Sequence, residues 1–105
     1  MTRRRLENRR PALTFDFEVG GLKYTATVAR FPDGTLAEVF LSNGKAGSDS
    51  DTSARDSAVV ASIALQYGVP LDVLRHALMR DAQGRPSGPL GTALEVASER
   101  GSDDA

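Results

Sequence analysis

The sequence predicts an α+β domain: a three-stranded antiparallel β-meander followed by three α-helices packed on the sheet. Three observations lead there. Apolar residues alternate with polar ones over 13–19 and again after Gly20-Gly21, the period of half-buried strands. Residues 58–65 are apolar almost all round, as in a buried helix. Gly68 and Pro70 then break the chain, and two further segments carry apolar residues at helical spacing.

In the first strand Leu13, Phe15, Phe17 and Val19 alternate with Thr14, Asp16 and Glu18. Gly20-Gly21 suits a two-residue hairpin loop, because glycine accepts the positive φ of the primed turns. That loop sets Val19 against Leu22, Phe17 against Tyr24, Phe15 against Ala26 and Leu13 against Val28, with every apolar residue on one face. The second strand ends near Phe31, and Pro32-Asp33-Gly34 marks the next turn. The third strand, 36–42, has two registers open to it. A three-residue loop with a bulge puts Phe40 beside Ala26, and a two-residue loop puts Val39 and Leu41 on the core face. Three consecutive apolar residues, Val39, Phe40 and Leu41, suggest a strand covered on both faces.

A Gly/Ser-rich loop over 43–51 leads to the first helix, with Asp51, Thr52 or Ser53 as candidate caps. This helix runs to about Tyr67, with Gly68 as the residue past its end. Pro70 suits the first turn of a second helix, whose stripe is Leu71, Leu74 and Leu78. After a polar loop over 81–89, a last helix from about Leu90 to Arg100 presents Leu90, Ala93, Leu94 and Ala97 to the core. There is no internal repeat.

The 105 residues suffice for one domain, read as 13–100, between a basic disordered arm (1–12) and an acidic disordered tail (101–105). The formal net charge of −1 is unevenly spread. Arg3, Arg4, Arg5, Arg9 and Arg10 stand against Glu7 in the first ten residues, leaving 8 basic and 13 acidic residues in 11–105. Such an arm offers weak nucleic-acid contact through phosphates, or is simply a solvated tail. No apolar run is long enough to cross a bilayer, and no apolar stretch follows the basic residues as a secretory signal requires. The absence of cysteine is compatible with a cytoplasmic location.

Gly44, Lys45, Gly47 and Ser48 have the composition of an anion- or nucleotide-binding loop just before a helix. The P-loop spacing is absent, and Asp49, Asp51 and Asp56 crowd the helix start, where they repel a phosphate. Those carboxylates lack the spacing of a calcium loop, and the single histidine, His76, cannot build a triad or a multi-histidine metal site. No catalytic residue, metal site or cofactor is assigned. Phe15, Phe17 and Tyr24 fall on the core face, so the sheet is no stacking platform for bases.

Ala37-Glu38-Val39-Phe40-Leu41, Gly44-Lys45-Ala46-Gly47-Ser48 and Ser62-Ile63-Ala64-Leu65-Gln66-Tyr67-Gly68-Val69-Pro70-Leu71, in that order, resemble the TSCPD domain. That module lies near the C-terminal end of cobalamin-dependent (class II) ribonucleotide reductases, and the resemblance covers roughly residues 20 to 97. It implies a protein partner, with a ribonucleotide reductase the natural candidate, and a non-catalytic binding or regulatory role. An in-trans component of deoxyribonucleotide synthesis and a nucleic-acid-associated small protein are the alternatives. Where the family carries its Thr-Ser-Cys-Pro-Asp-like motif, this sequence reads Arg85-Pro86-Ser87-Gly88-Pro89-Leu90, without the cysteine. Ribonucleotide reduction depends on cysteine thiyl and dithiol chemistry, so no redox role carries over to these residues. The resemblance identifies no oligomeric state.

Overall fold

The computed structural model describes residues 2–8 and 11–103. Among them, strands β1 (Ala12–Val19), β2 (Leu22–Arg30) and β3 (Leu36–Ser42) precede helices α1 (Asp49–Gln66), α2 (Leu71–Ala77) and α3 (Pro89–Asp103). The sheet is antiparallel in the order β1-β2-β3, and the helices cover one of its faces, which is the predicted α+β meander.

The first hairpin has the expected register, with Phe17 opposite Tyr24 and Phe15 opposite Ala26. Gly20 and Gly21 both adopt positive φ, as a primed turn demands. The second hairpin combines features of the two registers that were open. Phe31 donates its N–H to Thr35 across a three-residue loop, and Asp33 accepts hydrogen bonds from the Thr35 N–H and hydroxyl. A bulge between Ala29 and Arg30 then shifts the ladder by one residue. Leu41 therefore faces Ala26, Val39 and Leu41 enter the core, and Leu36 and Ala37 are both buried side by side. Phe40 points to the outer face and stays 52% exposed, so β3 is not covered on both sides there.

The core joins Phe15, Tyr24, Ala26, Val28, Val39 and Leu41 of the sheet to Ala54, Ala58, Ala61 and Leu65 of α1 and to Ala93, Leu94 and Ala97 of α3. The helix sides that touch the sheet are built largely of alanine, which lets the helix backbones approach it closely. Arg30 extends from β2 to the Ala97 carbonyl and fastens α3 to the sheet.

Helix α1 departs from the sequence reading in two ways. It starts earlier, capped by Ser48, whose hydroxyl accepts the Asp51 N–H at 3.2 Å. Asp51 is unavailable as a cap because its carboxylate turns inward to the Asn43 N–H. The helix is also not buried all round, since only one side meets the sheet. Val59, Val60, Ile63 and Tyr67 remain exposed on the other.

Its C-terminus ends as read. Gly68 has φ +98°, its N–H bonds the Leu65 carbonyl, and the Val69 N–H reaches Ala64, the double bond pattern of a Schellman motif. Pro70 then takes the capping position before α2 rather than a place in its first turn. Helix α3 runs to Asp103, three residues past its expected end.

A distinctive contact fixes α1 against the edge of the sheet. The Ser62 hydroxyl accepts the Val39 N–H at 2.9 Å and donates to the Val39 carbonyl at 3.0 Å. One turn on, the Gln66 amide donates to the Ala37 carbonyl at 3.1 Å. Two polar side chains on the sheet-facing side of α1 thus stand in for a fourth strand.

Two outcomes follow from this geometry. Replacing Ser62 with Ala strands a backbone donor and acceptor near the core and is expected to cost about 2 kcal/mol or more; an unchanged urea midpoint would contradict it. At Gly68 no heavy atom lies within 4 Å of an added Cβ, so the penalty is purely conformational. Gly68→Val is expected to lower stability by more than about 1 kcal/mol and Gly68→Asn by less, as thermal melts would show.

Candidate functional site

The predicted anion loop is held by its own hydrogen bonds. Gly44 and Gly47 have φ of +78° and +83°, which folds the chain back on itself. The Lys45 N–H donates to the Asn43 side chain, and the Ser48 N–H and hydroxyl both donate to the Lys45 carbonyl. The amides that a phosphate would use are therefore partly engaged already. Asp51, behind the loop, is almost fully buried. Hydrogen bonding from the Asn43 N–H and then from Arg55, at 2.7 Å, holds its carboxyl below the usual range. A fixed negative charge under the loop opposes a bound anion. Gly44, Lys45, Gly47 and Ser48 are brought together in one turn, beside Asn43 whose N–H is held by the buried Asp51 carboxylate.

The arm residues take another course. The Arg4 N–H donates to the Gln66 carbonyl at 2.8 Å, and the Arg3 guanidinium donates to the Gln66 side-chain oxygen. The Arg4 guanidinium lies 3.7 Å from the centroid of the Phe31 ring and bridges to Asp33 at 3.2 Å. Arg3, Arg4 and Arg5 line a shallow hollow with Leu6, Glu38 and Gln66. Where a free arm was read, residues 3–6 form a strap across the C-terminal end of α1. To contact a nucleic-acid phosphate, Arg4 would exchange Phe31 and Asp33 for it. Arg9 and Arg10 lie outside the described residues.

The loop in place of the family motif is braced by charge. Asp81 accepts the N–H groups of Arg85 and Gln83, the Arg80 backbone pairs with Pro86 as a single antiparallel β-bridge, the Arg80 side chain donates to the Gly84 carbonyl, and the Ser87 N–H bonds the Met79 carbonyl. Glu95 of α3 receives both Arg80 and Arg75, at 3.1 and 3.0 Å. Gly91 sits where a Cβ would meet that of Pro86 at 3.1 Å, so α3 starts hard against this loop. The sequence reading did not single out Arg75, Arg80 and Glu95. Their signal was a glutamate on the last helix with two arginines five residues apart, which gains meaning only when α2 and α3 are side by side.

His76 is exposed on α2, and among the described residues no group of three His, Cys, Asp or Glu side chains could hold a metal ion. Nor, among them, is any helix long and apolar enough to cross a membrane. The surface feature that stands out is the row Val59, Val60, Ile63 and Tyr67 on α1, continued by Phe40 of β3.

The family model described as the TSCPD domain matches residues 2–97. The chain belongs to the TSCPD family. The match includes the strap, which the sequence resemblance over 20–97 did not. Curated relatives are named Vitamin B12-dependent ribonucleotide reductase. Those of Streptantibioticus cattleyicolor and Streptomyces clavuligerus are 41% identical over 70 residues, 67% of this chain but 12% and 7% of theirs. That of Bradyrhizobium diazoefficiens is 33% identical over 88 residues, 84% of this chain and 7% of its own. This TSCPD chain thus spans a small fraction of the curated relatives it matches. No solved structure matches.

The carboxylates predict how this TSCPD domain responds to acid. Asp33 (through the Thr35 hydroxyl and N–H, then Arg4), Asp51, Asp81 (through the Arg85 N–H) and Glu95 (through Arg80, then Arg75) are all held below their ordinary values. A carboxyl depressed in the folded state stabilises it fully above the unfolded value, about 4, and loses that contribution as pH falls through the folded value. Thermal melts are expected to be level from neutral pH to about 5 and to fall below about 4. Asp51→Asn should flatten part of that fall; a melting temperature that rises on acidification would contradict the assignment.

Proposed function

We propose that this chain is a non-catalytic accessory module that acts through a protein partner, and that the partner is a ribonucleotide reductase. The carrying observation is that the chain belongs to the TSCPD family over residues 2–97, and that about two thirds of it matches a small segment of much longer proteins named as such reductases. In those relatives the domain is joined to the rest of the enzyme in one chain, which makes the reductase body the surface it has evolved beside. The described residues bring together no nucleophile, base and orienting group. The side chains that are locked in place, Ser62, Gln66, Arg75, Arg80 and Glu95, are used to hold the scaffold. Such a module contributes binding energy and positioning, and leaves the thiyl chemistry to its partner.

Within this reading, weak anion or nucleotide binding at Gly44, Lys45, Gly47 and Ser48 is a secondary contribution at most, limited by Asp51 beneath the loop. Location in the cytoplasm belongs to the same proposal, because that is where the nucleotide substrates of a reductase are.

The test uses the Streptomyces clavuligerus reductase with its matching segment removed. The purified chain is expected to bind it saturably in a calorimetric titration and to change its rate of deoxynucleotide formation. Alone, with adenosylcobalamin and a dithiol, the chain is expected to form no deoxynucleotide above a heat-killed control. Absence of binding together with an unchanged rate, or turnover by the chain itself, would overturn the proposal.

A further inference from the structure

The sheet has two edges, and α1 closes only the one at β3. The other edge is β1. The two-residue turn at Gly20-Gly21 makes Val19 and Leu22 a hydrogen-bonded pair, so the backbone of Leu13, Phe15, Phe17 and Val19 is spent on β2. The N–H and C=O groups of Ala12, Thr14, Asp16 and Glu18 face away from it. The same alternation carried across β2 turns the backbone of Ala37 and Val39 outward at β3, where Ser62 and Gln66 meet it. At β1 no described residue supplies an equivalent.

Edges of this length are ordinarily blunted by proline, lysine or a bulge, and residues 12–19 contain none of them. On the core face, Leu13, Phe17 and Val19 are only half-buried beside the open edge. On the outer face, Thr14 hydrogen-bonds Thr27 at 2.9 Å, and either hydroxyl can be the donor. Asp16 accepts the Thr25 hydroxyl at 2.7 Å through Oδ1, which leaves Oδ2 for a donor from beyond the edge.

We propose that two copies of this chain pair antiparallel through β1, across a two-fold axis at Phe15, and join their sheets into one. The occupant is a second copy because the edge is complementary to itself. With Phe15 on the axis, Thr14 lies opposite Asp16 of the other copy and Ala12 opposite Glu18, and about eight backbone hydrogen bonds form. The Thr14 hydroxyl, accepting from Thr27, then donates to Oδ2 of that Asp16. On the core face Leu13 covers Phe17 of the other copy. Because only alternate residues offer open backbone, the register can slip only by two. One such slip sets Asp16 on Asp16; the other sets Thr14 on itself and carries Glu18 past the start of β1. Each forms fewer bonds. Residues 12–18 fall short of the roughly 800 Å² per partner of a standard stable interface. The association is accordingly weak, with a dissociation constant of about 10⁻⁵–10⁻⁴ M.

The inference stands on this strand edge and not on the reductase reading, and its test needs only the purified full chain. Sedimentation equilibrium from about 10⁻⁵ to 10⁻³ M is expected to show a monomer–dimer equilibrium. Amide hydrogen exchange over the same range reads the edge without any substitution. The N–H groups of Ala12, Thr14, Asp16 and Glu18 should gain protection as concentration rises, and those of Leu13, Phe15, Phe17 and Val19 should be protected throughout. Thr14→Asp sets like charges opposite each other twice, once on each side of the axis, and should weaken the dimer about tenfold while its melt in dilute solution stays cooperative. Combining Thr14→Asp with Asp16→Thr exchanges the two residues, leaves each facing a threonine of β2, and should restore the dimer. A monomer at the highest concentration leaves the edge to a strand of some other protein and overturns the proposal, as does a dimer without the alternating gain in protection. A dimer that Thr14→Asp does not weaken, or that the exchange fails to restore, overturns the register.

Discussion

The structure depends on how the outer edge of β3 is closed. A three-stranded sheet has two edges, and each presents a row of backbone donors and acceptors that must find partners. At β3 the partner is a helix. Ser62 meets both backbone groups of Val39, and Gln66 meets the carbonyl of Ala37. A serine on the buried side of a helix would ordinarily be a weakness, because its hydroxyl competes with the helix's own hydrogen bonds. Here it is aimed at the backbone of the edge strand, and no buried side-chain polar atom among the described residues lacks a partner.

Other features of the fold are consequences of that contact. The side chains of Ser62 and Gln66 set the rotation of α1 about its axis, and so which of its apolar residues face inward. Alanines at 54, 58 and 61 bring the helix close enough for a short serine side chain to reach the strand. The bulge at Ala29/Arg30 places Ala37 and Val39 with their core-facing side chains and their edge-facing backbone in step with the helix. The same Gln66 then receives the strap through its side-chain oxygen and its backbone carbonyl. The segment 62–70, part of what carries the family resemblance, thus holds a sheet edge, a helix end and an N-terminal strap together.

This economy has a corollary at the surface. A helix rotated by polar contacts to present alanine inward has to present its valines and isoleucine outward. The exposed stripe is the other side of the edge closure, not a separate accident of composition.

The sequence by itself determined the hairpin register, the order of elements, the glycine end of α1 and the family, because each is written in local period, turn chemistry or contiguous motif. Gly20-Gly21 between two alternating runs admits one pairing, and Gly68 followed by Val69-Pro70 admits one helix end. Only the tertiary structure decided the rest. Whether Asp51 caps a helix or anchors a loop depends on where the Asn43 N–H lies. Residues 58–65 read as apolar all round, and the side of α1 left in solvent was fixed by a strand edge more than twenty positions away. The arginines of the arm could be matched to Phe31, Asp33 and Gln66 only after folding had brought those three together. Local period records which face a residue shares with its neighbours in the chain; what lies across from that face is a property of the assembled core.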